Sequence, residues 1–346
     1  MSALAFRLKP AEEASEPPEA RGQSRDGVRL MVASGTGEQI VHARFRELPR
    51  HLAPGDLLVL NTSATIPAAV PARRADGTPV EVRFSTRAPR AELPSLFVVE
   101  LRSETGEPLR QVGHAGEQII LAGAHGLELL APYAAPGRLW LARVDVPSLH
   151  SYLLAHGHPI RYRYVPRRWP LETYQTVYAT TPGSAEMPSA GRPFTTELIS
   201  ALVARGTLIA PITLHCGVSS PERDEPPYAE EYSVPETTAH LVNAVRAWGG
   251  RVIAVGTTAV RALESAAGSD GTVHASAGWT ELVISPSRPP RVVDGLITGW
   301  HEPGASHLQM LEAIAGSTLV DRSYEAALAC GYLWHEFGDS HLILTR

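Results

Sequence analysis

The residues of this chain best suited to chemistry follow short apolar runs, at the predicted ends of strands. Gly256-Thr257-Thr258 comes directly after the run Val252–Val255 and opens a helical pattern. A turn of this kind presents unpaired backbone N–H groups and two hydroxyls, which suit a carboxylate, a phosphate or a ribose. The residues alone leave two interpretations open: a ligand cradle at a strand end, or a turn whose threonines only cap the helix.

The same predicted helix carries an arginine and a glutamate. Arg261 and Glu264 are three residues apart, a spacing that puts both side chains on one helix face with the threonines. They fit either a ligand-binding pair or an exposed ion pair of small energetic value.

Three other strand ends carry groups that can transfer protons. His215 follows an apolar run in TLHCG, His301 precedes Pro303 in LITGWHEPG, and Asp339 follows Gly338 in FGDSH. Each of these residues alone is more often structural than catalytic. Four polar strand ends in one domain favour a cleft suited to general acid–base chemistry.

Residues 161–179, RYRYVPRRWPLETYQTVYA, alternate arginines with aromatic residues. Guanidinium groups that bind phosphates and rings that stack on bases fit a single-stranded RNA loop. A solvated connector whose arginines pair with nearby acids fits the composition equally well.

Composition excludes several classes of protein. The chain has 346 residues and a formal net charge of −5, so RNA binding needs a local basic patch. Lys9 is the only lysine, which argues against lysine Schiff-base enzymes. Cys216 and Cys330 form no CxxC pair, and HExxH and Gly-x-Ser-x-Gly are absent, so we predict no metal site.

Nothing in the sequence predicts contact with a membrane. The first 22 residues have no long apolar core and contain several acids, unlike a signal peptide. No run approaches the roughly 20 apolar residues of a membrane span. We therefore expect a cytoplasmic protein.

The elements that position these residues divide the chain into three parts. Residues 1–26 are rich in Pro, Glu and Ala and are expected to be loosely held. Residues 64–148 contain short strand patterns between turn residues, which predicts a small antiparallel barrel or sandwich. Residues 27–63 and 149–346 alternate strands with helices, including an expected strand over TELVIS (280–285), which implies an α/β domain with a mainly parallel sheet or an open barrel.

Taken together, these motifs resemble those of one family, the S-adenosylmethionine:tRNA ribosyltransferase-isomerases of queuosine biosynthesis. The resemblance runs from about Asp26 to the C-terminus, and YQTVYA and VGTTAVRALES are its most specific motifs. It implies a barrel-like α/β main domain with an inserted small antiparallel β-barrel domain. It also implies an enzyme that moves the ribosyl moiety of S-adenosylmethionine onto a 7-aminomethyl-7-deazaguanine in the tRNA anticodon loop, giving epoxyqueuosine and releasing adenine and methionine.

The resemblance also implies roles for individual residues. S-adenosylmethionine is expected as a consumed substrate, with no metal or other cofactor, and its sulfonium acidifies the ribose C5′ hydrogen so that a carboxylate or an imidazole can remove it. The residues expected to bind it are Gly256, Thr257, Thr258, Arg261 and Glu264. The candidate catalytic residues are His215, Asp339, His301 and Glu231, of which His215 and Asp339 are the candidates for the C5′ base. The residues expected to contact the acceptor or RNA are Tyr174, Gln175, Ala190, Gly191, Arg192, Phe194, Thr195, Arg161 and Arg163.

The chain departs from the family pattern at several positions. The pattern PTAGLHFT is PSAGRPFT here, with Arg192-Pro193 in place of Leu-His, and HxMHxEY is PPYAEEY, with Pro226 and Ala229 in place of two histidines. NDTRVIPARL is NTSATIPAAV, without its arginines. Three functions stay open: the family reaction on tRNA, a diverged paralogue that uses a small deazapurine nucleoside or another amine, and a non-catalytic RNA- or nucleoside-binding descendant.

Overall fold

A computed structural model describes residues 6, 8–35, 39–89, 93–109, 112–133, 137–218, 227–302 and 306–345. The α-helices in these ranges are α1 (Leu149–His156), α2 (Thr196–Ala204), α3 (Glu236–Ala247), α4 (Thr257–Ala266), α5 (Ser306–Ala315) and α6 (Ser317–Ala329). None of the helices in the described ranges is long and apolar enough to cross a membrane.

The strands of the described ranges are, in chain order, β1 (Arg29–Ser34), β2 (Gln39–Arg44), β3 (Leu57–Asn61), β4 (Ser63–Thr65), β5 (Ala69–Arg74), β6 (Pro79–Arg87), β7 (Leu96–Arg102), β8 (Gln118–Leu121), β9 (His125–Pro132), β10 (Leu139–Val144), β11 (Thr181–Ser184), β12 (Leu208–Leu214), β13 (Glu230–Val234), β14 (Val252–Val255), β15 (Ser276–Thr280), β16 (Gly295–Thr298) and β17 (Ser340–Leu344).

The main sheet is mixed. Its order is β15-β13-β12-β3-β14-β16-β17-β1-β2, and the pairs β12–β3, β3–β14, β14–β16 and β17–β1 are parallel while the other neighbours are antiparallel. Strand–helix alternation predicts a more uniformly parallel sheet. The difference at β17 arises because two helices, α5 and α6, separate it from β16, so the chain returns in the opposite direction.

The central strands are apolar on both faces because the sheet is covered on both sides. All five residues of β3 are buried. Leu58 and Leu60 belong to the core cluster that includes Phe194 of the segment before α2. Leu57 and Val59 belong to the opposite cluster. This alternation follows from the two-residue period of a strand.

Strands β5 to β10 close into a barrel in the order β10-β7-β6-β5-β8-β9. Every neighbouring pair is antiparallel, and inward-facing apolar side chains such as Phe84 and Trp140 fill the interior. All six strands fall within residues 64–148. The α/β class with an inserted antiparallel barrel is thereby confirmed, and the exact domain boundaries stay a prediction.

The strand expected over TELVIS lies further upstream, as β15 (Ser276–Thr280). From Thr280 to Leu282, the backbone is hydrogen-bonded by side chains. Arg261 donates from Nη2 to the Thr280 carbonyl at 3.1 Å and from Nε to the Leu282 carbonyl at 3.0 Å. The Leu282 N–H donates to Thr280 Oγ1 at 3.1 Å. These hydrogen bonds hold the start of residues 281–284 as an irregular segment that follows β15.

The N-terminal segment, expected to be loose, is tied to the end of the chain over its described residues. Trp334 N donates to the Glu12 carbonyl at 2.8 Å, and Ala14 N donates to the Trp334 carbonyl at 3.2 Å. Arg21 Nη2 donates to the Phe337 carbonyl at 3.0 Å. Composition did not show this, because Trp334 and Phe337 lie more than 300 residues away from their partners in the segment.

Arg192, one of the departures from the family pattern, anchors the same segment. Its side chain is 3% exposed, and Nη2 donates to both carboxylate oxygens of Glu19, at 2.9 and 3.2 Å. Nε donates to the Thr173 carbonyl at 2.9 Å, and the guanidinium lies over the Phe337 ring at 5.1 Å. Arg192 therefore links the N-terminal segment to the loop formed by residues 333–339, which we name the 333–339 loop.

We predict that Arg192→Met releases the N-terminal segment. The variant leaves the Thr173 carbonyl without its buried donor, which costs about 1–3 kcal/mol of unfolding free energy. Amide hydrogen exchange of residues 8–26 should quicken more than that of β3. The exposed Arg46 provides the control Arg46→Met, which should change neither property. Unchanged exchange in Arg192→Met would contradict the anchoring role.

Candidate active site

A cavity of about 220 Å³ lies at one edge of the main sheet. It is bounded by the carboxyl ends of β12, β14 and β16, by the start of β13, and by Ser85 of β6 from the barrel. Ligands of α/β proteins bind at this edge of a sheet. The titratable residues of its lining are Glu186, Cys216, Tyr228, Glu230, Arg261, His301, His307 and Glu336.

The Gly256-Thr257-Thr258 turn lies on the cavity wall, with all three residues in the lining. Gly256 is the N-cap of α4 and has φ +91°, and no side chain caps the helix. The Thr258 hydroxyl instead accepts a hydrogen bond from Asn61 Nδ2 at 3.1 Å. Because first-turn N–H groups have no acceptor within their helix, the geometry favours the ligand cradle over the helix cap.

Arg261 also lines the cavity, but its guanidinium is committed to protein groups. It forms an ion pair with Glu230 Oε2, in addition to its bonds to the carbonyls of Thr280 and Leu282. Glu230 Oε1 accepts from Gly217 N at 3.0 Å. Arg261 therefore holds residues 280–282, which continue into the apolar wall of the cavity.

Glu264 does not line the cavity. Its carboxylate accepts hydrogen bonds from the backbone N–H groups of Arg291, Val292 and Val293, at 2.8, 2.9 and 3.2 Å. The geometry therefore gives Glu264 a structural role in the turn before β16, and does not support the expectation that it binds S-adenosylmethionine.

His301 and His307 form a stacked pair on the cavity wall, with ring centroids 4.5 Å apart and an interplanar angle of 5°. His301 Nε2 lies 2.8 Å from Thr298 Oγ1. Burial and the neighbouring imidazoles lower the pKa of His301 well below its usual value. Burial and the charge of Arg261 lower the pKa of His307 to about 4. Both rings are therefore neutral at pH 7.

Glu336 is a carboxyl group of the cavity that lies within the 333–339 loop. Its Oε2 is buried and has no hydrogen-bond partner among the described residues. Burial raises its pKa to about 7. Burial and the nearby carboxylates of Glu186 and Glu336 raise the pKa of Tyr162 well above its usual value, so that hydroxyl stays protonated close to both carboxyl groups.

Comparison with known proteins shows the family. The family described as queuosine biosynthesis protein matches residues 1–343. The chain belongs to this family. S-adenosylmethionine:tRNA ribosyltransferase-isomerase of Moorella thermoacetica is 35% identical, over 98% of each chain, and that of Thermus thermophilus is 36% identical, over 99% of each. The crystal structure of S-adenosylmethionine tRNA ribosyltransferase from Thermotoga maritima is 28% identical, covers 99% of this chain and 100% of its own, and has a TM-score of 0.55.

Within this queuosine biosynthesis family fold, Asp339 holds the 333–339 loop and is absent from the cavity lining. Its Oδ1 accepts from Arg29 N at 2.7 Å, and Oδ2 accepts from Arg29 Nε at 2.9 Å and from Leu333 N at 2.8 Å. The side chain is 6% exposed. Its carboxylate is fully used by these bonds, so the geometry does not support Asp339 as the C5′ base.

His215 and Glu231 also lie outside the cavity lining. His215 Nδ1 lies 2.7 Å from Ser63 Oγ, next to the small β4–β11 sheet. Glu231 forms a bidentate ion pair with Arg87 of the barrel, at 2.9 Å to each oxygen, and is 37% exposed. Of the four residues predicted to be catalytic, the structure brings only His301 to the cavity.

The residues expected to contact the acceptor are mostly structural in their surroundings. Ala190 lines the cavity. Gly191 is buried beside the Tyr178 hydroxyl, which would lie 2.1 Å from a Cβ at this position. Phe194 packs in the core against Phe45, and Thr195 caps α2 through a hydrogen bond from Leu198 N.

Tyr174 and Gln175 support the small β4–β11 sheet from its side. The Tyr174 carbonyl accepts from Thr65 Oγ1 at 2.8 Å. Gln175 exchanges two hydrogen bonds with the Thr65 backbone, at 2.8 and 3.0 Å. The geometry therefore places Tyr174 and Gln175 of the YQTVYA motif in the framework of the fold.

The arginine-rich stretch divides into an inner and an outer part. Tyr162 stacks on Tyr164, and Tyr164 stacks on His335, so both rings face the protein. Arg161 donates to the carbonyls of Thr105 and Pro166, at 2.8 and 3.2 Å. The exposed arginines are Arg163, Arg167 and Arg168.

Sequence reasoning missed Glu186, Glu230, His307 and Glu336. Glu230 is adjacent to the predicted Glu231. Because successive strand residues point to opposite faces, Glu230 lines the cavity and Glu231 lies at the surface. His307 begins the helix after the chosen His301. Glu336 lies three residues before the chosen Asp339. Glu230 and His307 therefore lie within motifs that the sequence had marked, and Glu186 and Glu336 lie directly beside such motifs.

One group of described residues has the spacing of metal ligands. Atoms of Glu13, Glu302 and His335 lie within 4.8 Å of one another. Arg163 lies beside Glu13 and Glu302 in a second, more open cavity. Burial, and to a smaller extent the charge of Arg163, lowers the pKa of His335 to about 4. Pro226, one of the departures from the family pattern, lies outside the described residues.

We predict that Asp339→Asn destabilises the fold by about 1–3 kcal/mol, because the amide cannot accept from both Arg29 and Leu333 through charged oxygens. Urea unfolding should show a lower midpoint at unchanged m-value. The exposed Asp145 provides the control Asp145→Asn, with an unchanged midpoint. A wild-type midpoint in Asp339→Asn would contradict the structural role.

We predict that acid destabilises the protein through its buried neutral histidines. Burial lowers the pKa of His341 to about 3, and its ring is stacked on Trp300 at 4.7 Å. The unfolded chain binds more protons than the folded chain between pH 6.5 and these lowered pKa values, so the unfolding free energy falls as pH falls through that window.

Urea unfolding at several pH values between 7.5 and 5 checks this dependence. His341→Phe keeps a stacked ring without a titrating nitrogen, so the slope of unfolding free energy against pH should drop by up to about 1.4 kcal/mol per pH unit. An unchanged slope in this variant would show that His341 does not contribute.

Proposed function

We propose that this chain catalyses the reaction named for its relatives, transfer and isomerisation of the ribosyl moiety of S-adenosylmethionine onto a 7-aminomethyl-7-deazaguanine of tRNA. The products are epoxyqueuosine in the tRNA, adenine and methionine. The observation that carries the proposal is the joining, in one cavity, of a helix N-terminus and groups able to transfer protons, in a chain that belongs to this family along nearly its whole length.

In this proposal the Gly256-Thr257-Thr258 turn binds an anionic or hydroxyl group of S-adenosylmethionine. The N-terminus of α4 carries partial positive charge and unpaired N–H donors, which favour a carboxylate or ribose oxygens. Gly256 has φ +91° and its Cβ position lies 3.5 Å from Ala190 Cβ, so a side chain there would be strained and would narrow the cradle.

The apolar part of the cavity suits the adenine base. Leu282 and Ile284 come from the segment that Arg261 holds, and Met310 comes from α5. A planar, weakly polar ring gains from burial against such side chains. The polar groups then lie around the ribose and the sulfonium, where bonds are made and broken.

The exposed arginines of the 161–168 stretch suit the tRNA backbone. The Arg167 guanidinium lies over the Trp169 ring at 3.9 Å, and the Arg168 side chain is 56% exposed. Because the tyrosines face inward, this surface offers contacts to phosphates and not base stacking. The negative net charge of the chain makes such a local patch necessary.

A diverged acceptor is the second candidate, and Ala229 favours it. Ala229 lines the cavity at a position where the family pattern has a histidine. Loss of an imidazole there changes what the wall offers to an acceptor. Arg192, by contrast, lies among the N-terminal contacts and is not part of the cavity lining.

We predict that adenine release from labelled S-adenosylmethionine requires tRNA carrying 7-aminomethyl-7-deazaguanine. The parallel reactions contain unmodified tRNA, the free 7-aminomethyl-7-deazaguanine nucleoside, or the complete mixture with EDTA. Release only with the modified tRNA, and equal with EDTA, supports the proposal without a metal. Release with the free nucleoside supports the diverged acceptor, and no release in any reaction contradicts both.

A further inference from the structure

We propose that Glu336 is the base that removes the C5′ proton of S-adenosylmethionine. This assignment rests on the proposed function and adds the residue that begins the chemistry. Glu336 lines the cavity together with His301 and the α4 turn. Its Oε2 is buried and bonded to no described residue, so a lone pair is available to a substrate.

The step balances without a co-reactant. The C5′–H bond breaks, its electron pair stays on C5′ next to the positive sulfur, and the proton forms an O–H bond with Glu336 Oε2. The carboxylate becomes neutral and the sulfonium becomes an ylide, so the total charge is unchanged. The proton is then available on Glu336 for a later leaving group.

Four other groups of the cavity are less suitable bases. Glu230 is paired with Arg261 and accepts from Gly217 N. Burial and the charge of Arg261 hold the pKa of His307 at about 4, and burial and the neighbouring imidazoles lower the pKa of His301 well below its usual value. Burial raises the pKa of Glu336 to about 7, so its carboxylate is about a thousandfold stronger as a base than the His307 ring. Burial also keeps the Cys216 thiol protonated by raising its pKa.

The 333–339 loop fixes Glu336 from both sides. On one side Trp334 is bonded to Glu12 and Ala14. On the other, the Phe337 carbonyl accepts from Arg21, and the Asp339 carboxylate closes the loop onto Leu333 N. A base held in this way keeps its distance to a bound substrate, which proton transfer requires.

The groups that titrate around Glu336 belong to several elements. Tyr162 and Glu186 lie on one side, and burial and both carboxylates keep the Tyr162 hydroxyl protonated by raising its pKa. The other titratable or charged groups of the cavity are Cys216, Tyr228, Glu230, Arg261, His301 and His307. Burial lowers the pKa of both histidines, so their rings are neutral at pH 7.

The test compares wild type with Glu336→Gln and Glu336→Asp in the adenine-release assay with modified tRNA. Removal of a general base lowers rates by about 10² to 10⁴, so kcat of Glu336→Gln should fall at least a hundredfold. Affinity for S-adenosylmethionine, measured by calorimetry without tRNA, should change less than threefold. Glu325→Gln, at an exposed position of α6, is the matched control and should match wild type.

Two further readouts separate a catalytic role from a structural one. The wild-type rate should rise with pH through about 7 as the carboxylate forms, and this limb should be absent in Glu336→Gln. S-adenosylmethionine with deuterium at C5′ should give a larger isotope effect in Glu336→Asp, where the shortened carboxylate makes proton removal slower. Glu336→Asp retains a carboxyl group, so it carries the test if Glu336→Gln does not fold.

The outcomes distinguish the two proposals. Wild-type release together with a Glu336→Gln rate within threefold of it overturns the assignment and leaves the function standing. A lower affinity for S-adenosylmethionine at unchanged kcat also overturns it. No release by wild type with modified tRNA overturns the proposed function, and the assignment falls with it.

Discussion

The Asp339 carboxylate is the constraint on which the candidate site depends. It joins the Arg29 backbone and side chain at the start of β1 to Leu333 N, and so closes the 333–339 loop at the edge of the sheet. A buried carboxylate that already accepts hydrogen bonds from three donors fixes the backbone and is poorly available to a substrate. The same loop presents Glu336 to the cavity and receives the N-terminal segment through Trp334 and Phe337. The seven residues of the 333–339 loop therefore contribute both to the packing of the fold and to the candidate site.

The barrel insert also takes part in the site. Ser85 lies on the cavity wall and accepts from Val218 N at 2.9 Å. Two residues later, Arg87 forms its ion pair with Glu231 of β13. Gly217 is required at this junction, because a Cβ there would lie 2.7 Å from Ser85 Oγ. The close backbone approach lets one strand of the barrel complete a cavity that the α/β sheet begins.

Local patterns predicted the fold well, and long-range contacts account for what they missed. Apolar runs located β3, β14 and the barrel strands. A strand buried on both faces shows consecutive apolar residues, and a strand buried on one face shows alternating apolar and polar residues. The GTT turn was likewise readable as a strand end. The roles of Glu264 and Asp339 were not, because a carboxylate that accepts from distant backbone N–H groups has the same sequence appearance as a catalytic one. Glu230, and not the predicted Glu231, lines the cavity for a simpler reason, because successive strand residues point to opposite faces.

Two departures from the family pattern, Arg192 and Ala229, have different consequences because only the second lies in the lining of the cavity. The Arg192 side chain lies outside the cavity lining and forms an ion pair with Glu19. Because its guanidinium also lies over the Phe337 ring, it ties the N-terminal segment to the 333–339 loop. Ala229 faces the cavity and removes an imidazole from it. His301, His307 and Glu336 come from the segments that follow β16 and precede β17. An altered preference for the acceptor would therefore arise at Ala229, while the proposed C5′ base, Glu336, lies in the 333–339 loop of the same cavity.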